Sequence, residues 1–158
     1  MINESFIDGR RRDSMAITQL SVFLENRPGM LCDAIASIKD AGINIHALSV
    51  ADTNDFGILR IIVSDTEKTK AVLSDAIIVK ETSVIAVKMS DKSGALMTVL
   101  EILRDANVNI EYVYAFTGAA QGSAYVVLRV DELKEAEKIL ARHEITTLND
   151  EDMSGFLA

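Results

Sequence analysis

Polar and apolar positions alternate from Thr18 to Leu24 (TQLSVFL). Apolar residues then recur at three- and four-residue intervals, at Leu31, Ala34, Ile35 and Ile38. Period two predicts a half-buried strand, and the i, i+3, i+4, i+7 spacing predicts an amphipathic helix. The same switch returns downstream, where a strand-like SVIAVKM (83–89) precedes Leu96, Val99, Leu100 and Leu103. Each helix is followed by a second strand (INIHALSVA, 43–51; VNIEYVYAF, 108–116) and a Gly-bearing hairpin (ADTNDFG; TGAAQG). A nearly continuous apolar strand comes next (ILRIIV, 58–63; SAYVVLRV, 123–130), and then a second helix (DTEKTKAVLSD, 65–75; DELKEAEKILAR, 131–142). Both second helices open on acidic residues, which suit the positive end of the helix dipole. A fourth strand closes each unit.

The chain is therefore written twice. At an offset of 65 residues Gly29 meets Gly94, Leu31 meets Leu96, Asp40-Ala41 meets Asp105-Ala106 and Asn44-Ile45 meets Asn109-Ile110. One inserted residue near Gly122 shifts the offset to 66, so that Asp65 meets Asp131. Four segments follow: an arm over 1–15, a first unit over 16–82, a second over 83–149, and an acidic tail over 150–158. Met15 offers an alternative start of translation. Hardly any linker separates the units, because IIVKETSVIAVKM (77–89) reads as the last strand of one passing into the first strand of the other.

Strand, helix, strand, strand, helix, strand is the split βαβ, or ferredoxin-like, order, and the fold class is α+β. Right-handed crossovers put both helices of a unit on one face, with strands one and three in the centre. Strand two lies at an edge. It contains no Pro, no Lys and no evident bulge, so it invites another strand to pair with it. The expectation is two units side by side in one continuous eight-stranded antiparallel sheet, with the helices on one face. The open face would then stack on another subunit, giving a homodimer.

Composition narrows the function. The net charge of −8 opposes binding to nucleic acid and to anionic membranes. No apolar run approaches the ~20 residues of a membrane-spanning helix, and MINESFIDGRRRDSM lacks the apolar core of a signal peptide. Cys32 is the lone cysteine, so an intrachain disulfide is impossible and a reducing cytoplasm fits.

The corner between the first strand and the first helix is the unusual feature. Pro28 suits a first helical turn because its missing N–H would lack a partner there. Gly29 lets a ligand approach the backbone. The N–H groups of Gly29, Met30 and Leu31 would then point out of the helix start as an anion site. Asp91, Lys92, Ser93, Gly94, Ala95 and Leu96 repeat the corner with Ser93 in place of Pro28. Spacing alone is equally met by two ordinary strand-to-helix turns.

Asn26-Arg27-Pro28-Gly29-Met30-Leu31, an apolar helix and then Ala-Gly-Ile-Asn-Ile on this frame resemble the ACT domain. Asp91 to Leu96 with Ala-Asn-Val-Asn-Ile-Glu-Tyr resembles a second, more divergent copy. The resemblance covers about residues 17–149. It implies a regulatory module without catalysis that binds a free amino acid where two domains meet. By position the contacts would be Asn26, Arg27, Pro28, Gly29, Met30 and Leu31 together with Asp91, Lys92, Ser93, Gly94, Ala95 and Leu96, backed by strand two. Ser93 and Asn107 depart from the family pattern. A carboxylate suits the helix-start N–H groups, an ammonium suits backbone carbonyls or Asp91, and the side chain suits an apolar pocket. The resemblance also implies a partner enzyme that senses the ligand; the alternative is a regulatory small subunit of the acetolactate synthase type.

Other candidate chemistry is sparse. His46 and His143 fall at different points of the repeat, so no metal site and no catalytic pair is expected. Cys32, just past the corner, reads as a packed thiol without a base. Tyr112, Tyr114 and Phe116 share one face of a strand where the first copy has Ala47, Ser49 and Ala51. They serve either packing or the shaping of an asymmetric cavity. No nucleotide, metalloprotease or hydrolase motif occurs, and no cofactor is implied.

Overall fold

The computed structural model describes residues 15–53, 55–73, 78–116 and 121–155. In chain order the elements are β1 (Ile17–Glu25), α1 (Met30–Asp40), β2 (Ile45–Asp52), β3 (Phe56–Val63), α2 (Thr66–Leu73) and β4 (Ile78–Ser90). There follow α3 (Ala95–Asp105), β5 (Ile110–Phe116), β6 (Ser123–Val130), α4 (Leu133–Arg142), β7 (Thr147–Leu148) and α5 (Asp150–Gly155). The arm, apart from Met15, lies outside the described residues.

The strands form one antiparallel sheet in the order β2-β3-β1-β4-β6-β5, with β7 against β4. Among the described residues it has seven strands, not the expected eight, because one strand serves both halves. β4 runs for 13 residues. Its first part pairs with β1 from Phe23↔Ile78 to Ile17↔Val84, and its second part pairs with β6 from Ile85↔Leu128 to Ser90↔Ser123. The junction of the repeats is thus a backbone continuity, and pairing between the two strand-two edges is not needed to join the halves.

Alternation along β4 explains the layers. Val79 packs under α1 and α2, while Ile85, Val87 and Met89 pack under α3 and α4. All are odd-numbered, so the four helices cover one face of the sheet. Val84 and Ala86 point the other way, into a third core with Ile17, Ala47, Ile62, Tyr125, Val127, Leu148 and Met153. That open face does not wait for another subunit. The sheet curls until its two halves meet on the inside, and its end strands β2 and β5 come into contact. Strand twist supplies the curl, and burial of the inner face rewards it.

The first helix of each half ends on a residue type that tolerates a left-handed backbone. Gly42 and Asn107 adopt left-handed φ values of 69° and 56°. The following N–H groups reach back, from Ile43 to Ile38 O and from Val108 to Leu103 O, as in a Schellman stop. Later in the repeat the register differs from the expected one. Ser64 accepts from the N–H of Asn44 through Oγ, and Asp131 accepts from the N–H of Asn109 through Oδ1. Asp131 therefore answers Ser64 rather than Asp65.

The acidic segment is more than a solvated tail. Asp150, Glu151 and Asp152 are exposed, but they lie on α5, whose Met153 is buried in the inner core. Asn149 and Asp152 cap the start reciprocally, each backbone N–H donating to the other's side chain at 2.9 and 2.8 Å.

Candidate functional site

Both corners form by the same backbone path. The N–H of Arg27 donates to Glu25 O and that of Lys92 to Ser90 O, each at 2.9 Å. Gly29 and Gly94 follow at φ 90° and 87°, preceding Met30 and Ala95 as the N-caps of α1 and α3. Pro28 therefore stands before the helix, in the turn, and not in its first helical turn. The glycines are required by φ alone, since a Cβ on either would meet nothing within 4 Å.

The supply of free donors is smaller than expected. The N–H of Met30 turns back to Arg27 O at 3.4 Å, and its counterpart on Ala95 to Lys92 O at 3.2 Å. No side chain caps either helix start among the described residues. Asn26, Arg27, Pro28 and Gly29 are exposed, as are Asp91, Lys92, Ser93 and Gly94, while Met30, Ala95 and Leu96 are half-buried.

Beside the first corner lies an open, mainly apolar cavity of about 690 Å³, bounded by Arg27, Gly29, Leu31, Cys32, Ile35 and Lys39. Leu31, placed by its spacing on the core face, is instead 41% exposed and lines this cavity. Cys32 is exposed there too, contrary to a packed thiol. A smaller cavity of about 250 Å³ borders Ala95, between Met89 and Ile145.

The corners do not converge. The first follows β1, beside the Ile78 end of β4, and the second follows the Ser90 end. The length of β4, about 40 Å at ~3.3 Å per residue, lies between them. Asp91 is therefore remote from the N–H groups at Gly29 within one chain.

A second site, built from residues outside the corners, opens on the inner face. Gln19 is completely buried. Its Nε2 donates to Tyr112 Oη at 2.8 Å and to Ser21 Oγ at 3.2 Å, and its Oε1 accepts from Tyr114 Oη at 2.9 Å. Burial pushes the Tyr114 phenol above its ordinary range, with a smaller contribution from Tyr112. The Arg60 guanidinium stacks on the Tyr112 ring, 4.0 Å from its centroid. Around this cluster lies a cleft of about 500 Å³. Register places Arg60 and Lys80 on either side of Ser21. Arg129 enters from the second half, paired with Glu111 at 3.3 Å and donating to Ser83 O at 3.0 Å.

These residues were missed because Gln19 and Ser21 fill the polar positions of an alternating strand, which ordinarily face water. One signal was available: each nearly apolar third strand carries one arginine, Arg60 or Arg129. The aromatic stripe divides its work. Tyr112 and Tyr114 bond to Gln19, and Phe116 packs on Tyr125 with ring centroids 5.3 Å apart. His46 sits at a bulge between Ile45 and Ala47. Its buried Nδ1 has no partner among the described residues, and burial lowers its pKa.

Two ferredoxin-like modules sharing a central strand, each with a glycine-capped corner beside its first helix, define a tandem α+β architecture. The chain belongs to the ACT domain pair family, whose model matches residues 15–157. This family consists of regulatory modules. Protein BT0572 from Bacteroides thetaiotaomicron is 36% identical, with a TM-score of 0.82 over 88% of this chain and 96% of that one. The ligand-free regulatory subunit of aspartate kinase from Thermus thermophilus shares the fold at 9% identity, with a TM-score of 0.58 over 79% and 91% of the two chains. The corresponding subunit from Thermus flavus is 11% identical, with a TM-score of 0.53 over 79% and 90%. A comparison with functionally curated proteins gives no match. Among the described residues no helix is long and apolar enough to cross a membrane.

Proposed function

We propose that this chain is a sensor that binds a free amino acid and reports it to a partner enzyme or pathway. The supporting observation is the first corner: a helix start free of side-chain caps beside an apolar cavity, in a chain of the ACT domain pair family. The ligand carboxylate would take the helix-start N–H groups left free by the turn, and its side chain would enter the cavity between Leu31 and Ile35. The second corner, with Asp91 to Leu96, would act as an equivalent but more polar site.

Because the corners lie at opposite ends of β4, a complete pocket at either one would need a neighbouring chain to supply its far wall. Leu48 and Val50 on the edge strand β2 are 52% and 49% exposed, which suits a second copy of this chain. A homodimer in the cytoplasm would be the working form, and ligand would alter how the two copies are set.

A thermal-shift screen of the full chain against the twenty amino acids tests the reading. A ligand at ~100 times its Kd adds ~2.7 kcal/mol to stability. One or a few hits, weakened by substitution at Gly29 or Leu31, support it. A flat screen removes it.

A further inference from the structure

We propose that the cleft on the inner face of the curled sheet is a separate site for a small dicarboxylate of the acidic amino-acid type. It goes beyond the corner reading and stands independently of it. The cleft lies between the two halves, and its volume of about 500 Å³ is that of a small-molecule pocket. Its charge is the opposite of the protein's. Two carboxylates line it, and both are engaged: Glu81 by Lys70, and Glu111 by Arg129. Arg60 and Lys80 also line it, and neither has a carboxylate partner among the described residues. Two cations without a carboxylate partner among the described residues, in a chain of net charge −8, form a local anion trap.

The geometry fits two carboxylates better than one. Arg60 and Lys80 are cross-strand neighbours of the same residue, Ser21, so their strands lie about 10 Å apart, two strand spacings. Long side chains at that separation can grip both ends of a four- or five-carbon diacid. Arg60 is held by the Tyr112 ring, which reduces the freedom it would lose on binding. The Tyr112 oxygen already accepts from Gln19, so its own hydrogen is available to a carboxylate. An ammonium would find Glu111 on the opposite wall. Such a ligand would tie Arg60 and Lys80 of the first half to Tyr112 and Glu111 of the second.

Isothermal titration calorimetry of the full chain with L-aspartate and L-glutamate tests this, with L-leucine and inorganic phosphate as controls. The expected result is binding of one or both acidic amino acids that weakens as salt rises, with Arg60→Gln and Lys80→Gln each lowering affinity at least about tenfold. Lys80 is exposed, so Lys80→Gln keeps the test valid where Arg60→Gln disturbs folding. Gly29→Ala should leave this binding unchanged. No heat with either acidic amino acid, equal affinity for phosphate, or affinity lost with Gly29→Ala but kept with Lys80→Gln overturns the proposal. The last outcome overturns it while leaving the corner sensor standing.

Discussion

Tyr114 donates its hydroxyl hydrogen to Oε1 of Gln19 at 2.9 Å, across 95 positions of sequence and from one half of the molecule to the other. With Tyr112 on Nε2, the buried amide is satisfied at both ends by the opposite half. The contact marks where the apolar inner core gives way to the charged cleft.

Gln19→Ala strands the Tyr114 hydroxyl at the seam, while that of Tyr112 opens on the cleft, and a loss of about 1–3 kcal/mol is expected, the cost of one unsatisfied buried group. Tyr114→Phe removes a single bond and should cost about 1 kcal/mol. Urea unfolding of the double variant should show less than the sum of the two losses. Strict additivity would mean that the bond contributes nothing to stability.

Gly29→Ala and Gly94→Ala should each cost about 1–2 kcal/mol through the left-handed backbone alone, because space for the Cβ is open. Asn, which tolerates this conformation better, should be milder at both positions. Equal losses for Ala and Asn would point to a contact other than φ.

His46 gives a pH dependence of known sign. Burial holds its folded pKa below the ordinary 6.5, so the unfolded chain binds the extra proton first. Its contribution is therefore complete above that ordinary value and is lost as pH falls below it. Stability of the parent chain should drop from about pH 7.5 to 5.5 more than that of His46→Gln, measured by denaturant midpoints at each pH. Parallel profiles would remove His46 as the cause.

Met153 is 2% exposed, and its side chain belongs to the inner core. Met153→Ala should cost about 2 kcal/mol or more. Asp150→Ala, on the exposed side of α5, should stay within ~0.5 kcal/mol. A neutral Met153→Ala would restore the reading of this segment as a mere solvated tail.

Much of this was legible beforehand because it is local. The period change at Leu24 to Leu31 and the doubled corner rest on residues within a few positions of each other. The site was legible only in part. Gly29 and Gly94 stood out as turn residues, although the reason for glycine there is the left-handed φ and not the close approach read from the sequence. Gln19, Arg60 and Lys80 did not, because a polar residue in an alternating strand looks the same whether it faces water or a distant tyrosine. Leu31 and Cys32 were misplaced for a related reason: helical spacing fixes their angular position, but not whether anything covers that side.

The sequence by itself determined the two units and their element order, since hydrophobic period, turn residues and repeat are properties of neighbouring positions; that one strand would serve both units it did not record. Only the tertiary structure decided that the open face closes on itself, that α5 seals it, and that the two corners point to opposite ends. Those outcomes depend on how far a twisted sheet curls before its apolar inner faces touch. That balance is struck between residues nearly a hundred positions apart, and no local pattern records it.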